Sequence, residues 1–481
     1  MHALPPQPDV LVVGGGTAAL CAAITTRRAG ASVLLLERAP KGERGGNTRH
    51  SRNFRYVHEG PSPFSAGAYP ETEFRSDLAR VAGRDQDPAL LRLLIERSRE
   101  LPDWLAHLGV PLQPVAGGGL PHSRKTAFLL GGGKTLLNAL YAAAERLGVA
   151  ICYGASVEAI QCDEPSAPKV VPRTAAKDVY RAAPKVVHSV DYSLEGSLHT
   201  VSPQIAILCC GGAQADREWL RTSWGERADG FINRGTPHAK SGLLRNLLSQ
   251  GIAAAGDPAA AYLVAVDARS PADDGGIVTR VRSMHAGIVV DRDGQRRYDE
   301  GADTASTRYS AWGQRLADFP GQIGYLILDR RGLQVEAPSF YPAISAPSIA
   351  DLAQQLGLPP LALERTLSAY NAAVSPRGAN ANEGLLPPKS SDALPLTEPP
   401  FAAYPMRPGI TFTYHGVAVD ARLRVRHREG GVIDNLFAAG MLMAPNLFSR
   451  GYLSGLALMI GLATGRAAGE GAARDAFDDG R

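Results

Sequence analysis

Apolar and polar positions alternate with two periods along this chain, and the change of period marks the elements. Val10-Leu11-Val12-Val13 is a short continuous apolar run that ends at Gly14-Gly15-Gly16. Ala18–Ala29 then has the composition and spacing of a helix, Gly30 stops it, and Val33–Leu36 is a second apolar run. Strand, glycine turn, helix and strand within 28 residues make a βαβ unit. Continuously apolar strands place it in a parallel sheet covered on both faces. The pattern predicts further helices over Pro88–Leu108 and Leu136–Leu147, the second stopped by Gly148. Alternation around Val186–Tyr192 predicts a hairpin extension, and Ile205–Leu208 another buried strand running into Cys209-Cys210-Gly211-Gly212.

From about residue 225 to 385 the apolar runs shorten, and Ser348–Asn371 reads as a helix. This texture predicts an inserted domain. The stretch Ser375–Pro408 holds eight prolines and reads as an ordered, irregular return connection. The last segment repeats the opening theme, with a strand at Asn435–Ala439, Gly440, a loop, and a helix from about Gly455 to Ala473. The division expected is 1–225, 226–385 and 386–481, with the first and last parts forming one domain.

Composition narrows the function. The chain has 481 residues, 44% hydrophobic and 20% charged, which is globular. Its net charge of +4 carries no basic blocks, which argues against a nucleic-acid partner. Only eight of the 51 basic residues are lysine, so arginine dominates, and guanidinium grips carboxylates and phosphates bidentately. Five cysteines show neither zinc spacing nor an even disulfide set, so no metal site and a reduced, cytoplasmic setting are expected. Met1–Pro6 opens no signal peptide, and the apolar run Leu453–Gly465 is too short to span a bilayer.

Gly14-x-Gly16-x-x-Ala19, after a strand and opening a helix, is a dinucleotide fingerprint. The first glycine makes the turn, the second admits the pyrophosphate to the backbone, and the small third residue lets helix pack on strand. Phosphates sit on the free N–H groups of the helix N-terminus. Glu37, 23 residues after Gly14, is placed to accept hydrogen bonds from the adenosine ribose and argues against a 2′-phosphate.

Four strings carry a resemblance: Gly45–Arg55 (GGNTRHSRNFR), Arg296–Gly301 (RRYDEG), Arg308–Gly313 (RYSAWG) and Ser449–Gly455 (SRGYLSG). With Gly440 and Cys210-Gly211-Gly212, they make the chain resemble the flavoproteins of the fumarate reductase/succinate dehydrogenase family over nearly its whole length. Within that family it is most similar to tricarballylate dehydrogenases and to the flavoprotein part of oxygen-dependent precorrin ring-contraction synthases.

The resemblance implies an α/β fold: a discontinuous, Rossmann-like FAD-binding domain with an inserted α+β cap domain that carries substrate. It implies FAD lined by Gly14, Gly15, Gly16, Thr17, Ala18, Glu37, Arg38, Arg44, Gly45, Gly46, Asn47, Thr48, Arg49, Gly211, Gly212, Gly440, Ser454, Gly455 and Leu456. The covalent histidine of some relatives falls near Thr48, so the flavin is expected to be noncovalent. Hydride moves between a substrate carbon and flavin N5 while an arginine handles the proton, and Arg308 is the first candidate. An arginine base needs neighbouring cations and direct contact with the C–H.

Arg450 is the candidate carboxylate clamp, and Arg49, His50, Arg52 and Arg55 form a cluster expected to support a polyanion in part. The fumarate reductase histidine aligns with Phe412, with His415 displaced by three, so the fumarate clamp is incomplete. His415 and Tyr309 complete the catalytic candidates; His285 and Trp312 stand behind them.

The expected reaction is oxidation of a CH–CH bond in a small polyanion such as tricarballylate. Alternatives are precorrin oxidation and a tailoring reaction on another acid. A separate electron acceptor, iron–sulfur, haem or quinone-linked, is the expected protein partner.

Overall fold

The computed structural model describes residues 7–83, 86–115, 123–162, 186–302, 308–336, 339–374 and 385–478. The chain divides into two compact units: Met1–Asp216, His238–Ala260 and Phe412–Arg481 form the first, Arg217–Pro237 and Ala261–Thr411 the second. The second unit thus begins at Arg217, returns His238–Ala260 to the first, and continues past residue 385 to Thr411.

The first unit is built on a six-stranded sheet. Its elements are β1 (Val10–Val13), α1 (Thr17–Arg28), β2 (Val33–Glu37), β3 (Asn53–Arg55), α2 (Glu71–Ala82), β4 (Thr126–Phe128), α3 (Gly132–Arg146), β5 (Ala150–Tyr153), β6 (Ile205–Leu208), β7 (Arg424–Arg426), β8 (Val432–Ala438) and α4 (Leu456–Asp478). The sheet order is β7-β8-β6-β1-β2-β5. Only the β7/β8 pair is antiparallel. All four residues of β1 and of β6 are buried, as a parallel strand with both faces covered requires.

The last helix closes this unit by packing backbone to backbone on the first. Gly461, Gly465 and Gly469 recur at four-residue spacing on α4, so they share one helix face. A Cβ at Gly465 would lie 2.4 Å from the Ala18 carbonyl, and one at Gly469 2.6 Å from that of Ala22. Thr26 Oγ1 donates to the Gly469 carbonyl at 3.1 Å across the same contact.

The expected hairpin is present, Val187–Leu194 pairing with Ser197–Val201. Two predicted helices are broken. Pro88–Leu108 is two helices, Pro88–Arg99 and Leu101–His107, because Pro102 has no N–H to continue the ladder. Ser348–Asn371 splits into Ile349–Leu356 and Pro360–Ala373 at left-handed Gly357 and the prolines after it. The Ser375–Pro408 reading needs correction too: residues 375–384 lie outside the described ones, but Phe401–Val417 is a 17-residue strand. Pro405 stands opposite Tyr325 in its antiparallel ladder, and such ladders leave alternate N–H groups unneeded on a given side.

In the second unit that strand pairs with Gly324–Leu328, which pairs with Ile288–Asp291. Apolar side chains fill both faces of this sheet, with Trp312 fully buried in one cluster, so Trp312 is a core residue. The Arg296–Gly301 string is structural. Arg296 and Glu300 are both buried and pair at 2.6 Å, and Glu300 also accepts from the Val289 N–H at 2.8 Å. Beside them Lys389, fully buried, donates to the carbonyls of His285 and Gly287. Burial holds its ammonium down to about 8 against the attraction of Glu300.

Candidate functional site: a dinucleotide cradle

The β1–α1 turn is shaped by its glycines. Gly14 has φ +112°, and a Cβ there would lie 2.5 Å from the Cys209 carbonyl of the neighbouring strand end. At Gly15 a Cβ would fall 2.0 Å from Glu37 Oε2 and 2.3 Å from the Tyr141 hydroxyl. Gly16 caps α1 in an extended conformation without a side-chain bond. Thr48 lies over this helix start, its Oγ1 accepting from the Thr17 N–H at 3.2 Å and sharing a hydrogen bond with Thr17 Oγ1 at 2.8 Å. Ala18 is buried, and a Cβ on Gly440 (φ +71°) would approach the Ala18 Cβ to 2.8 Å.

Glu37 ends β2 with its carboxylate buried. Oε1 accepts from the Ala39 N–H at 2.8 Å, and the Gly45 backbone also bonds this carboxylate. Burial raises its pKa against these bonds and the cations of His238 and Arg38. Arg38 is tied back by Ser156 Oγ (2.9 Å) and the His238 carbonyl (3.3 Å). Arg44 stacks over Tyr141 at 4.3 Å, and the Tyr141 hydroxyl donates to the Gly15 carbonyl at 2.9 Å. Tyr141 is a site residue that sequence reasoning missed. The helix carrying it was legible, but nothing local says that its phenol reaches the turn.

Gly45 (φ +100°) packs on Leu137 and opens the short helical turn Gly46–His50, which carries Asn47, Thr48 and Arg49. Arg49 donates to the Glu43 carbonyl at 3.1 Å. A Cβ on Gly46 or Gly211, both at positive φ, would meet nothing within 4 Å, whereas at Gly212 it would press on Gln214 and Thr413. The cradle therefore has tight walls at Gly14 and Gly15 and open space at Gly46 and Gly211. A helix N-terminus, a desolvated carboxylate and open glycine backbone on one sheet edge suit a dinucleotide: phosphates at the helix start, ribose hydroxyls at Glu37. The residues present fit FAD.

Further along, Ser454 is exposed and its Oγ accepts from Asn53 Nδ2 at 3.2 Å. Gly455 sits at φ +80° with a would-be Cβ 2.7 Å from the Arg55 nitrogen, and Leu456 is fully buried at the start of α4. Arg450 is exposed, anchored by its backbone N–H to the Val81 carbonyl at 3.1 Å. His415 is buried in the strand Phe401–Val417, and burial lowers its pKa against the Gly256 backbone and Asp257. Phe412 belongs to an aromatic cluster with Tyr414, Phe448 and Tyr452, ring centroids 5.5–6.0 Å from its own.

One expectation is corrected here. Arg55 is not free to support a polyanion with Arg49, His50 and Arg52. It is 6% exposed and pairs with Asp77 at 3.1 Å, with further bonds to the Tyr69 hydroxyl and the Ser454 carbonyl. Arg52, by contrast, lies half-buried over the Phe128 ring at 5.9 Å.

The catalytic candidates of the second unit are described within it. Arg308 is the first residue of the helix Arg308–Ala317, its side chain lying outside the described ones. Tyr309 lies under the Arg280 guanidinium at 4.7 Å. Next to them is a residue the sequence reading did not single out. Arg282 is exposed, and its pKa is lowered from the ordinary arginine value first by partial desolvation and then by Arg280, against Tyr309 and Glu336. Buried Glu336, raised by burial, accepts from the Ser283 N–H at 2.8 Å beside it. Among the described residues no cluster of His, Cys, Asp or Glu could hold a metal ion, and no helix is long and apolar enough to cross a membrane.

The sheet, the glycine turn and the buried acid define a dinucleotide-binding scaffold, and comparison with known proteins identifies the dinucleotide as FAD. The FAD binding domain family matches residues 9–450. A probable fumarate reductase, Ifc3 of Shewanella frigidimarina, is 25% identical over 488 residues, covering 98% of this chain and 75% of that protein. The open conformation of a flavocytochrome c3 fumarate reductase superposes with a TM-score of 0.73 at 21% identity, covering 98% of this chain and 79% of that one. A 3-ketosteroid Δ1-dehydrogenase from Sterolibacterium denitrificans shares the fold at a TM-score of 0.70 and 16% identity, covering 98% and 100%. The chain belongs to the FAD binding domain family, among the fumarate reductase/succinate dehydrogenase flavoproteins, and is an FAD-dependent oxidoreductase acting on CH–CH groups.

Proposed function

We propose that this protein desaturates, or in reverse reduces, the CH–CH bond of a carboxylic acid, with FAD held noncovalently in the first unit. The observation that carries this is the exposed Arg450 guanidinium in the turn that leads to Ser454–Leu456, the residues expected to meet the flavin. An arginine there binds one substrate carboxylate bidentately, and that carboxylate acidifies the neighbouring C–H. FAD supplies the two-electron acceptor.

The proton on the adjacent carbon falls to an arginine. Arg308 is the candidate by resemblance. Arg282, exposed beside the Arg280 cation, is a second candidate, because partial desolvation and Arg280 lower its pKa against Tyr309 and Glu336. A tricarballylate-like polycarboxylate is the finer reading, with Arg49 and Arg52 as further cations; Arg55 cannot serve, being spent on Asp77. The fumarate reductase relatives support an acid substrate, and a partner protein would exchange electrons with the flavin.

The aromatic cluster favours a second reading. Phe412 stands where the fumarate reductases carry their histidine, and Tyr452 packs against it at 5.6 Å. A tailoring reaction on a ring-bearing acid would use Tyr452, the partly exposed ring of this otherwise buried cluster. Anaerobic addition of di- and tricarboxylates, and of arylpropionates, decides between them by which acid bleaches the visible flavin band. If none does so, and none of the unsaturated counterparts reoxidises reduced enzyme, the proposed function is wrong.

A further inference from the structure

Arg55 sits in a buried network centred on Asp77. Asp77 is 3% exposed and accepts from the Tyr69 hydroxyl at 2.7 Å, from Lys125 Nζ at 2.7 Å, from Arg55 at 3.1 Å and from Arg80. Burial would raise the Asp77 carboxyl, but the bonds from Lys125, Tyr69 and Arg80 outweigh it and bring it to about 2. Asp77 is therefore an ionised anchor, and it holds one end of the Arg55 guanidinium.

The other end points elsewhere. Arg55 Nε donates to the Ser454 carbonyl at 3.1 Å, and the Arg55 backbone N–H donates to the Gly455 carbonyl at 3.1 Å. Asn53, two residues earlier and on the same face of β3, donates from Nδ2 to Ser454 Oγ. Three bonds from one short strand thus converge on the Ser454–Gly455 turn. That turn needs holding: Gly455 is left-handed and leaves no room for a side chain, and Ser454 is in solvent.

We infer that Arg55, anchored by Asp77, is a positioning residue that fixes the Ser454–Gly455 turn in the conformation that receives the flavin. The inference rests on the reading that Ser454–Leu456 meets FAD. It assigns Arg55 no contact with substrate. A planar guanidinium suits the task because it bonds Asp77 and Ser454 from different nitrogens, whereas a lysine ammonium is one point charge.

Arg55→Lys separates this role from fold stability, because it keeps a cation opposite Asp77 and loses the directed bond to Ser454. Apoprotein would be titrated with FAD by flavin fluorescence, and the melting midpoint of the apoprotein recorded alongside. The expected result is an FAD dissociation constant raised about 10-fold or more, as for loss of a charge-assisted bond, with the apoprotein midpoint held and the flavin visible spectrum altered in the residual complex. Asn53→Ala, which cuts the other tie without touching the ion network, should weaken FAD in the same direction and serves alone if Arg55→Lys does not fold. FAD affinity and spectrum unchanged in either folded variant would overturn the inference while leaving the FAD site intact. Wild-type apoprotein that takes up no FAD would instead overturn the reading on which it rests.

Discussion

Substituting Gly15 by alanine tests the cradle with a single methyl group. The new Cβ would lie 2.0 Å from Glu37 Oε2 and 2.3 Å from the Tyr141 hydroxyl, both far inside contact distance. Neither neighbour can swing away freely. Glu37 is held through Oε1 by the Ala39 N–H at 2.8 Å, and Tyr141 is 0% exposed with its hydroxyl bonded to Gly15 itself. Overpacking of this kind costs about 1–3 kcal/mol of folding stability. If Glu37 holds the ribose as proposed, the displaced carboxylate would also lose charge-assisted bonds to it, about 1.5–3 kcal/mol, which corresponds to roughly 10- to 100-fold in FAD affinity. Fluorescence titration of apoprotein reads the second number and chemical denaturation the first. Gly42→Ala is the control, since its Cβ would meet nothing within 4 Å. Wild-type FAD affinity in Gly15→Ala would refute the placement of the ribose at Glu37.

Further outcomes follow from other contacts. Gly465→Val should destabilise the first unit by several kcal/mol (about 3 or more), because backbone carbonyl, not a movable side chain, lies 2.4 Å from the new Cβ; thermal melting of the apoprotein checks this. Arg282→Ala should slow flavin reduction by the true substrate about 100-fold or more in stopped-flow, and a rate equal to that of Arg221→Ala, an exposed pair partner of Asp229, would remove Arg282 from proton handling. Asp77 titrates near 2 when folded against an ordinary 3.8, so its contribution, about 2 kcal/mol, is fully present above pH 3.8 and is lost as pH falls toward 2. Acid unfolding of Asp77→Asn should lack that dependence.

How much of this was legible without coordinates follows from what is local. The β1-turn-α1-β2 unit and the place of Glu37 at the end of its second strand were readable because each rests on neighbours in sequence: an apolar run, glycines at fixed offsets, an acid at a strand end. The strand Phe401–Val417 was not, because its prolines speak against a ladder until the partner strand is known. Arg55 was misread for the same reason. Its closeness in sequence to Arg49 and Arg52 suggests a shared anion-binding cluster, while its partner Asp77 is 22 residues away on α2 and appears in no motif. Tyr141 reaches Gly15 across 126 residues, a contact no period records. The glycines of α4 showed composition, and only packing against Ala18 and Ala22 shows why alanine would not do.

The central claim is that this chain holds FAD, noncovalently, and uses it on an acid substrate. Acid precipitation of purified, flavin-loaded protein tests the first half most directly. The account predicts that FAD appears in the supernatant in equimolar amount with protein, and that before precipitation its visible band bleaches anaerobically with one member of the carboxylic-acid panel. Protein that cannot be loaded with FAD, or flavin that remains with the pellet, would contradict it.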